Sequence, residues 1–155
     1  EQFDPGLNWG DVEWIKKHWD GKLIIKGILD PEDARAAVGS GADAIVVSNH
    51  GGRQLDGAMS SIQALPPIVD AVGKDIEVWM DGGIRSGQDV LKAWALGARG
   101  TMIGRSFLYG LGAMGGPGVT KCLEIIHKEL DLTMAFTGHR DIHNVTNDIL
   151  VPGTY

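Results

Sequence analysis

A chain of 155 residues, 43% of them hydrophobic, holds enough apolar material for one core and reads as one domain over residues 1–155. Its net charge of −6, with the few Lys and Arg scattered, excludes a basic field for nucleic acid and favours small-molecule partners. Disorder is excluded by composition, and no apolar run approaches the roughly 18 residues of a membrane span.

Cys122 is the single cysteine. It falls in a helical pattern, and no secretory pattern is visible, so a reducing, cytoplasmic compartment is expected, with peripheral attachment to the inner face of the plasma membrane left open. Glycine is the outlier. Its 23 copies are about twice ordinary usage without a collagen period, which calls for many backbone turns or close approaches.

In chain order, "NWGDVEWIKKHW" predicts a helix with Asn8 as cap and Trp9, Val12, Ile15 and Trp19 as its apolar stripe. "KLIIKGI" (Lys22 to Ile28) is the first of four nearly continuous apolar runs suited to strands buried on both faces. Asp30 as N-cap and Pro31 at the first helical position then open a helix through "EDARAAVGSG". The second run, "DAIVVS" (Asp43 to Ser48), continues into "NHGGRQLD", where a histidine, two glycines and an arginine stand side by side. A chain that only turned would need one glycine and solvated polar residues.

A helix from Ser60 or Ser61 contains Pro66 and Pro67, which predict a kink or a restart. The third run, "EVWMDG" (Glu77 to Gly82), precedes "GIRSG" and a helix capped by Ser86. The fourth, "GTMIGR" (Gly100 to Arg105), precedes a short helix near Phe107 to Leu111. A long helix from about Val119 to Phe136 follows, with Val119, Cys122, Leu123, Ile126, Leu130 and Met134 on one face and Lys121, Glu124, Lys128 and Glu129 on the other.

Strand and helix alternating in this way predict a parallel α/β fold, either an open doubly wound sheet or a (β/α)8 TIM-type barrel. The barrel is favoured, because its phosphate sites commonly form from the loops after the last two strands with a short extra helix. Here those loops read "DGGIRSG" and "GRSFLYG". Gly82, Gly83 and Gly104 would let backbone N–H groups approach a phosphate, and Arg85 and Arg105 could supply paired donors. A complete barrel needs eight strands and about 250 residues, so this chain is expected to supply the last four β/α units.

"IIKGI", "SNHGGRQLD", "DGGIRSGQDVLKA" and "GARGTMIGRSFLYGL", in this order and spacing, resemble the C-terminal half of the FMN-dependent L-2-hydroxy acid oxidases and dehydrogenases. That family includes glycolate oxidase, mandelate dehydrogenase and the flavin-linked L-lactate dehydrogenases. "LYGLGAMG" and "ILVPGTY" bring the bacterial L-lactate dehydrogenases nearest.

The resemblance implies oxidation of an L-2-hydroxy acid, L-lactate above all, with FMN as cofactor and no metal; the alternatives are glycolate or mandelate as substrate, or a non-catalytic half barrel that only binds FMN or a phosphate. It implies that His50 is the general base and that Arg53 grips the substrate carboxylate. Lys26 is then placed beside N1 and O2 of the flavin and Ser48 against the flavin, on the same side of an extended chain as His50. Asp81 falls to the ribityl chain, and Gly82, Gly83, Arg85, Gly104 and Arg105 to the phosphate. Implied partners are the N-terminal half of the same enzyme, an electron acceptor (oxygen, a cytochrome or a quinone) and further copies in a homotetramer.

Two other motifs are declined. "GLGAMG" (Gly110 to Gly115) matches a dinucleotide fingerprint, but it does not directly follow a strand, and "GPG" rather than a helix follows it. "HRDIH" sets His139 and His143 four apart without an evident third metal ligand.

Overall fold

Asp30 accepts from the N–H of Glu32, and Pro31 opens the helix Pro31–Gly39, as the sequence predicts. Asn8 and Ser86 cap two further helices in the same way in a computed structural model that describes residues 4–155. The elements are α1 (Trp9–His18), β1 (Ile24–Ile28), α2 (Pro31–Gly39), β2 (Ala44–Val47), α3 (Ser61–Val72), β3 (Glu77–Met80), α4 (Gly87–Ala95), β4 (Gly100–Thr101), α5 (Arg105–Met114) and α6 (Gly116–Phe136).

The four strands form one parallel sheet in the order β1-β2-β3-β4. Each β–α–β crossover returns its strand next to the last, and the order never reverses. With right-handed crossovers this puts the connecting helices on one face, the winding of a barrel rather than of a doubly wound sheet. The helix-facing side holds the main core: Ile45, Val47, Val78 and Met80 from the strands with Ala34, Ala37, Leu65 and Ile68 from α2 and α3. By register the opposite side carries Ile24, Lys26, Ala44, Val46, Glu77 and Trp79.

Several expectations are corrected. β4 has two paired residues, Gly100 and Thr101, and its expected end, Gly104 and Arg105, belongs to the start of α5. A single helix runs through both Pro66 and Pro67 without a restart. Its face of Ala64, Leu65 and Ile68 is fully buried, and that packing outweighs the hydrogen bonds the prolines remove. No residue of α1 is buried, and Trp19 lies beyond its end. The periodicity found the helix but not its burial.

The "GPG" run also proves to be helical, since α6 begins at Gly116. Gly110 and Gly118 let α5 and α6 cross with their backbones in contact, since a Cβ on either glycine would overlap the carbonyl of the other. The "GLGAMG" glycines lie within α5 and at its end, and Gly110 there serves helix packing. Glu129, on the face opposite the apolar stripe of α6, accepts from the N–H of Gly87 at 3.0 Å and so caps α4. His143 packs edge-on against Trp94, with ring centroids 5.4 Å apart, and His139 bonds Thr137.

Candidate active site

Past the C-terminal end of β2 the chain turns left-handed for three residues in succession. His50 has φ 54°, Gly51 69° and Gly52 71°. Glycine tolerates this, whereas a side chain there costs about 1–2 kcal/mol, so His50 is held in place by its surroundings. Asn49 holds the turn by accepting from the N–H of Gly51 at 3.0 Å. Its own N–H donates to Ser61 Oγ at 3.2 Å, and the N–H of His50 donates to Ser48 Oγ at 3.1 Å. The imidazole and the Arg53 side chain project from this turn into exposed positions.

A cleft of about 220 Å³ gathers Lys26, His50, Arg53, Asp81, Gly82, Gly83, Arg85, Gly104 and Arg105. Nine of the ten residues expected at the site thus meet at the C-terminal ends of the strands, where α/β barrels place their chemistry. Ser48 is the tenth, and it is fully buried behind them. The chain has left the extended conformation by His50, the first residue of the left-handed turn. Ser48 Oγ is occupied by the N–H of His50 and by Lys26 Nζ, the latter at 3.1 Å. A larger cleft of about 330 Å³ adjoins across Gly82 to Ile84 but contains none of Lys26, His50 and Arg53. The chemistry therefore belongs to the smaller one, whose volume lies below the roughly 300–1,000 Å³ usual for ligand pockets.

Lys26 bridges the floor of the cleft, with its Nζ 3.0 Å from Asp81 Oδ2. The other carboxylate oxygen, Asp81 Oδ1, is buried without a hydrogen-bond partner among the described residues. A buried orphan acceptor costs about 1–3 kcal/mol, and a donor on a ligand would relieve it. At the far end, α5 starts directly after Gly104 with no side-chain cap, so its first N–H groups and positive dipole end are open to an anion. Arg85 and Arg105 flank that end. Ser106, in the first turn of α5, donates to the carbonyl of Ile84 at 3.1 Å and ties the two glycine-rich loops together.

Four contributors escape the sequence reading: Asn49, Ser61, Ser106 and Gly27. Gly27 lies in a bulge of β1 at φ 106°, and a glycine inside a strand is the signal that could have found it.

At the base of the sheet, Asp43 accepts from Lys16 Nζ at 2.6 Å, Lys22 Nζ at 2.8 Å and the N–H of Leu23 at 2.9 Å. These bonds, those of Lys16 and Lys22 foremost, hold its carboxyl well below the usual carboxylate range. Asp43 in turn raises the pKa of Lys22.

The FMN-dependent dehydrogenase family matches residues 1–152. The L-lactate dehydrogenase of Actinobacillus pleuropneumoniae serotype 5b (strain L20) is 56% identical over 151 residues, 97% of this chain and 40% of the relative. That of Caulobacter vibrioides (strain NA1000 / CB15N) is 56% identical over 148 residues, 96% of this chain and 39% of its own length. Among solved structures, a mandelate oxidase with 3,3-difluoro-2-hydroxy-3-phenylpropionic acid superposes with TM-score 0.89 at 47% identity, covering 94% of this chain and 44% of that one. A mandelate oxidase variant with a monooxide FMN adduct superposes with TM-score 0.88 at 48% identity, over 94% of this chain and 46% of that one. This chain spans about 40% of the length of the curated relatives it matches. Its motifs and parallel sheet agree with the family match, and the chain belongs to the FMN-dependent dehydrogenase family.

Proposed function

We propose that this chain is the C-terminal half of an FMN-dependent enzyme that oxidises an L-2-hydroxy acid, L-lactate first, to the 2-oxo acid. The observation that carries this reading is the convergence of His50, Arg53, Lys26 and Asp81 on one cleft beside an uncapped helix N-terminus. The residues fit FMN. The orphaned Asp81 Oδ1 suits a ribityl hydroxyl, and Gly83, Gly104, Arg85, Arg105 and the start of α5 suit its phosphate.

FMN, when bound, takes up the two electrons that leave the substrate. Arg53 offers the planar fork that pairs with a carboxylate and so fixes which end of the hydroxy acid faces His50. His50 takes a proton from the substrate hydroxyl or α-carbon, a task suited to imidazole near neutral pH. Lys26, held by Asp81 and Ser48, brings a positive charge to the cleft floor.

The same reading calls for the N-terminal half of the protein to close the barrel and for further copies in a homotetramer, which would cover apolar residues such as Tyr109 and Phe136, 69% and 89% exposed. A second reading, mandelate as substrate, is favoured by the 47% identity to a mandelate oxidase, and glycolate is the smaller alternative within the same reaction. Anaerobic bleaching of the complete flavoprotein by L-lactate, glycolate and L-mandelate decides between them. L-lactate is expected to bleach fastest. Faster bleaching by another acid moves the substrate, and no bleaching by any of the three overturns the reading.

A further inference from the structure

Beyond the residues that face the cleft, the structure holds a contact between β1 and the imidazole of His50. Lys26 pairs with Val46 and Ile28 with Val47, so Gly27 is an inserted residue with no partner of its own. The insertion changes the parity of the strand. Ile25 and Ile28 both pack into the helix-facing core, although they are three residues apart, and Lys26 between them faces the other way, toward Ser48 and Asp81.

Gly27 itself sits at φ 106° with its α-carbon against the His50 ring. A Cβ built there would lie 2.6 Å from Cε1, 3.4 Å from Nε2 and 3.5 Å from Nδ1. The ring thus presents its Cε1 edge to the strand, with the two nitrogens nearly equidistant. The His50 backbone is already fixed by its left-handed turn and by Ser48. The α-carbon of Gly27 is thus a direct packing contact of the imidazole.

We propose that Gly27 is a positioning residue: the absence of a side chain there forms the seat of the His50 imidazole and aims its nitrogens at the substrate. This rests on the reading of His50 as the base. A methyl at Gly27 would push the ring away while leaving Arg53 and the phosphate end untouched. Misplacing a reacting group by about 1 Å costs on the order of 10²-fold in rate.

In the complete flavoenzyme, Gly27→Ala is expected to keep its FMN and to bind oxalate, used as a carboxylate probe, within about threefold of wild type, while anaerobic flavin reduction by L-lactate falls at least about tenfold. Gly57→Ala adds the same kind of positive-φ strain, at φ 76° with open space around it, and is expected to reduce normally. Reduction by Gly27→Ala within about twofold of wild type would overturn the proposal, as would an equal loss in Gly57→Ala.

A double-mutant cycle covers a variant that folds poorly. If the ring is the cause, adding His50→Ala to Gly27→Ala restores FMN content and Tm. An unrelieved defect points to backbone strain alone and overturns the seat. The cycle reads stability and not turnover, so it remains informative even if His50→Gln shows that His50 is not the base.

Discussion

Asp81 is the residue at which binding and stability are expected to move in opposite directions. Its Oδ2 pairs with Lys26, whose side chain is 37% exposed, so that pair is worth roughly 0–1 kcal/mol after solvent screening. Its buried Oδ1 has no partner, and such an acceptor costs about 1–3 kcal/mol. Replacing the carboxylate by a group of the same shape without polar atoms, Asp81→Leu, should therefore leave the Tm of the flavin-free protein unchanged or raised. FMN binding should suffer instead. A ligand hydroxyl donating to a carboxylate is worth about 1.5–3 kcal/mol, which at 1.4 kcal/mol per tenfold is roughly a tenfold to 150-fold rise in Kd. Quenching of FMN fluorescence on titration with the apo-enzyme, alongside thermal unfolding of the same sample, measures both. A Kd within about threefold of wild type together with a lowered Tm would refute the reasoning, because Asp81 would then be a structural partner of Lys26 and nothing more.

Arg53→Lys should weaken both oxalate affinity and the rate of flavin reduction, because one ammonium cannot reproduce a two-pronged pair with a carboxylate; unchanged oxalate binding would make Arg53 structural. Asp43, held below its ordinary value of 3.8 by Lys16 and Lys22, contributes stability that is complete above that value and is lost as pH falls through the lowered one. Asp43→Asn should therefore show a Tm deficit at pH 7 that shrinks as pH drops below 3.8, and a deficit independent of pH would exclude the clamp. The isolated chain, with the outer edges of β1 and β4 unpaired, should self-associate in sedimentation and show weak amide protection. A compact monomer with strongly protected strands would show the four units self-sufficient.

The parts of the molecule governed by local chemistry were legible in the sequence. Apolar runs with Asp30 and Ser86 as caps point to a parallel sheet, and the two glycine and arginine loops to an anion site at its C-terminal edge, whereas the roles of His50, Arg53, Lys26 and Asp81 come from the family resemblance. What depends on contacts between distant segments was not legible. "IIKGI" signals a bulge, but nothing in it says that the ring of a histidine 23 residues later lies across Gly27. Ser48 meets Lys26 Nζ and the N–H of His50 from a fully buried position behind the cleft, which alternation along β2 alone does not show. Glu129 lies opposite the apolar stripe of its own helix, and only the packing of α6 on α4 turns it into a cap for Gly87. Pro66 and Pro67 carry a local signal against a continuous helix, which the buried face of α3 overrides.

The claim that His50 removes the substrate proton, with the rest of the cleft holding flavin and carboxylate in place, is tested most directly by His50→Gln in the complete flavoenzyme. Glutamine keeps a polar side chain of similar size but has no titrating nitrogen. Anaerobic stopped-flow bleaching at saturating L-lactate should show FMN fully retained and the reduction rate lowered by at least about 10². Reduction at a near wild-type rate with FMN in place would contradict the account.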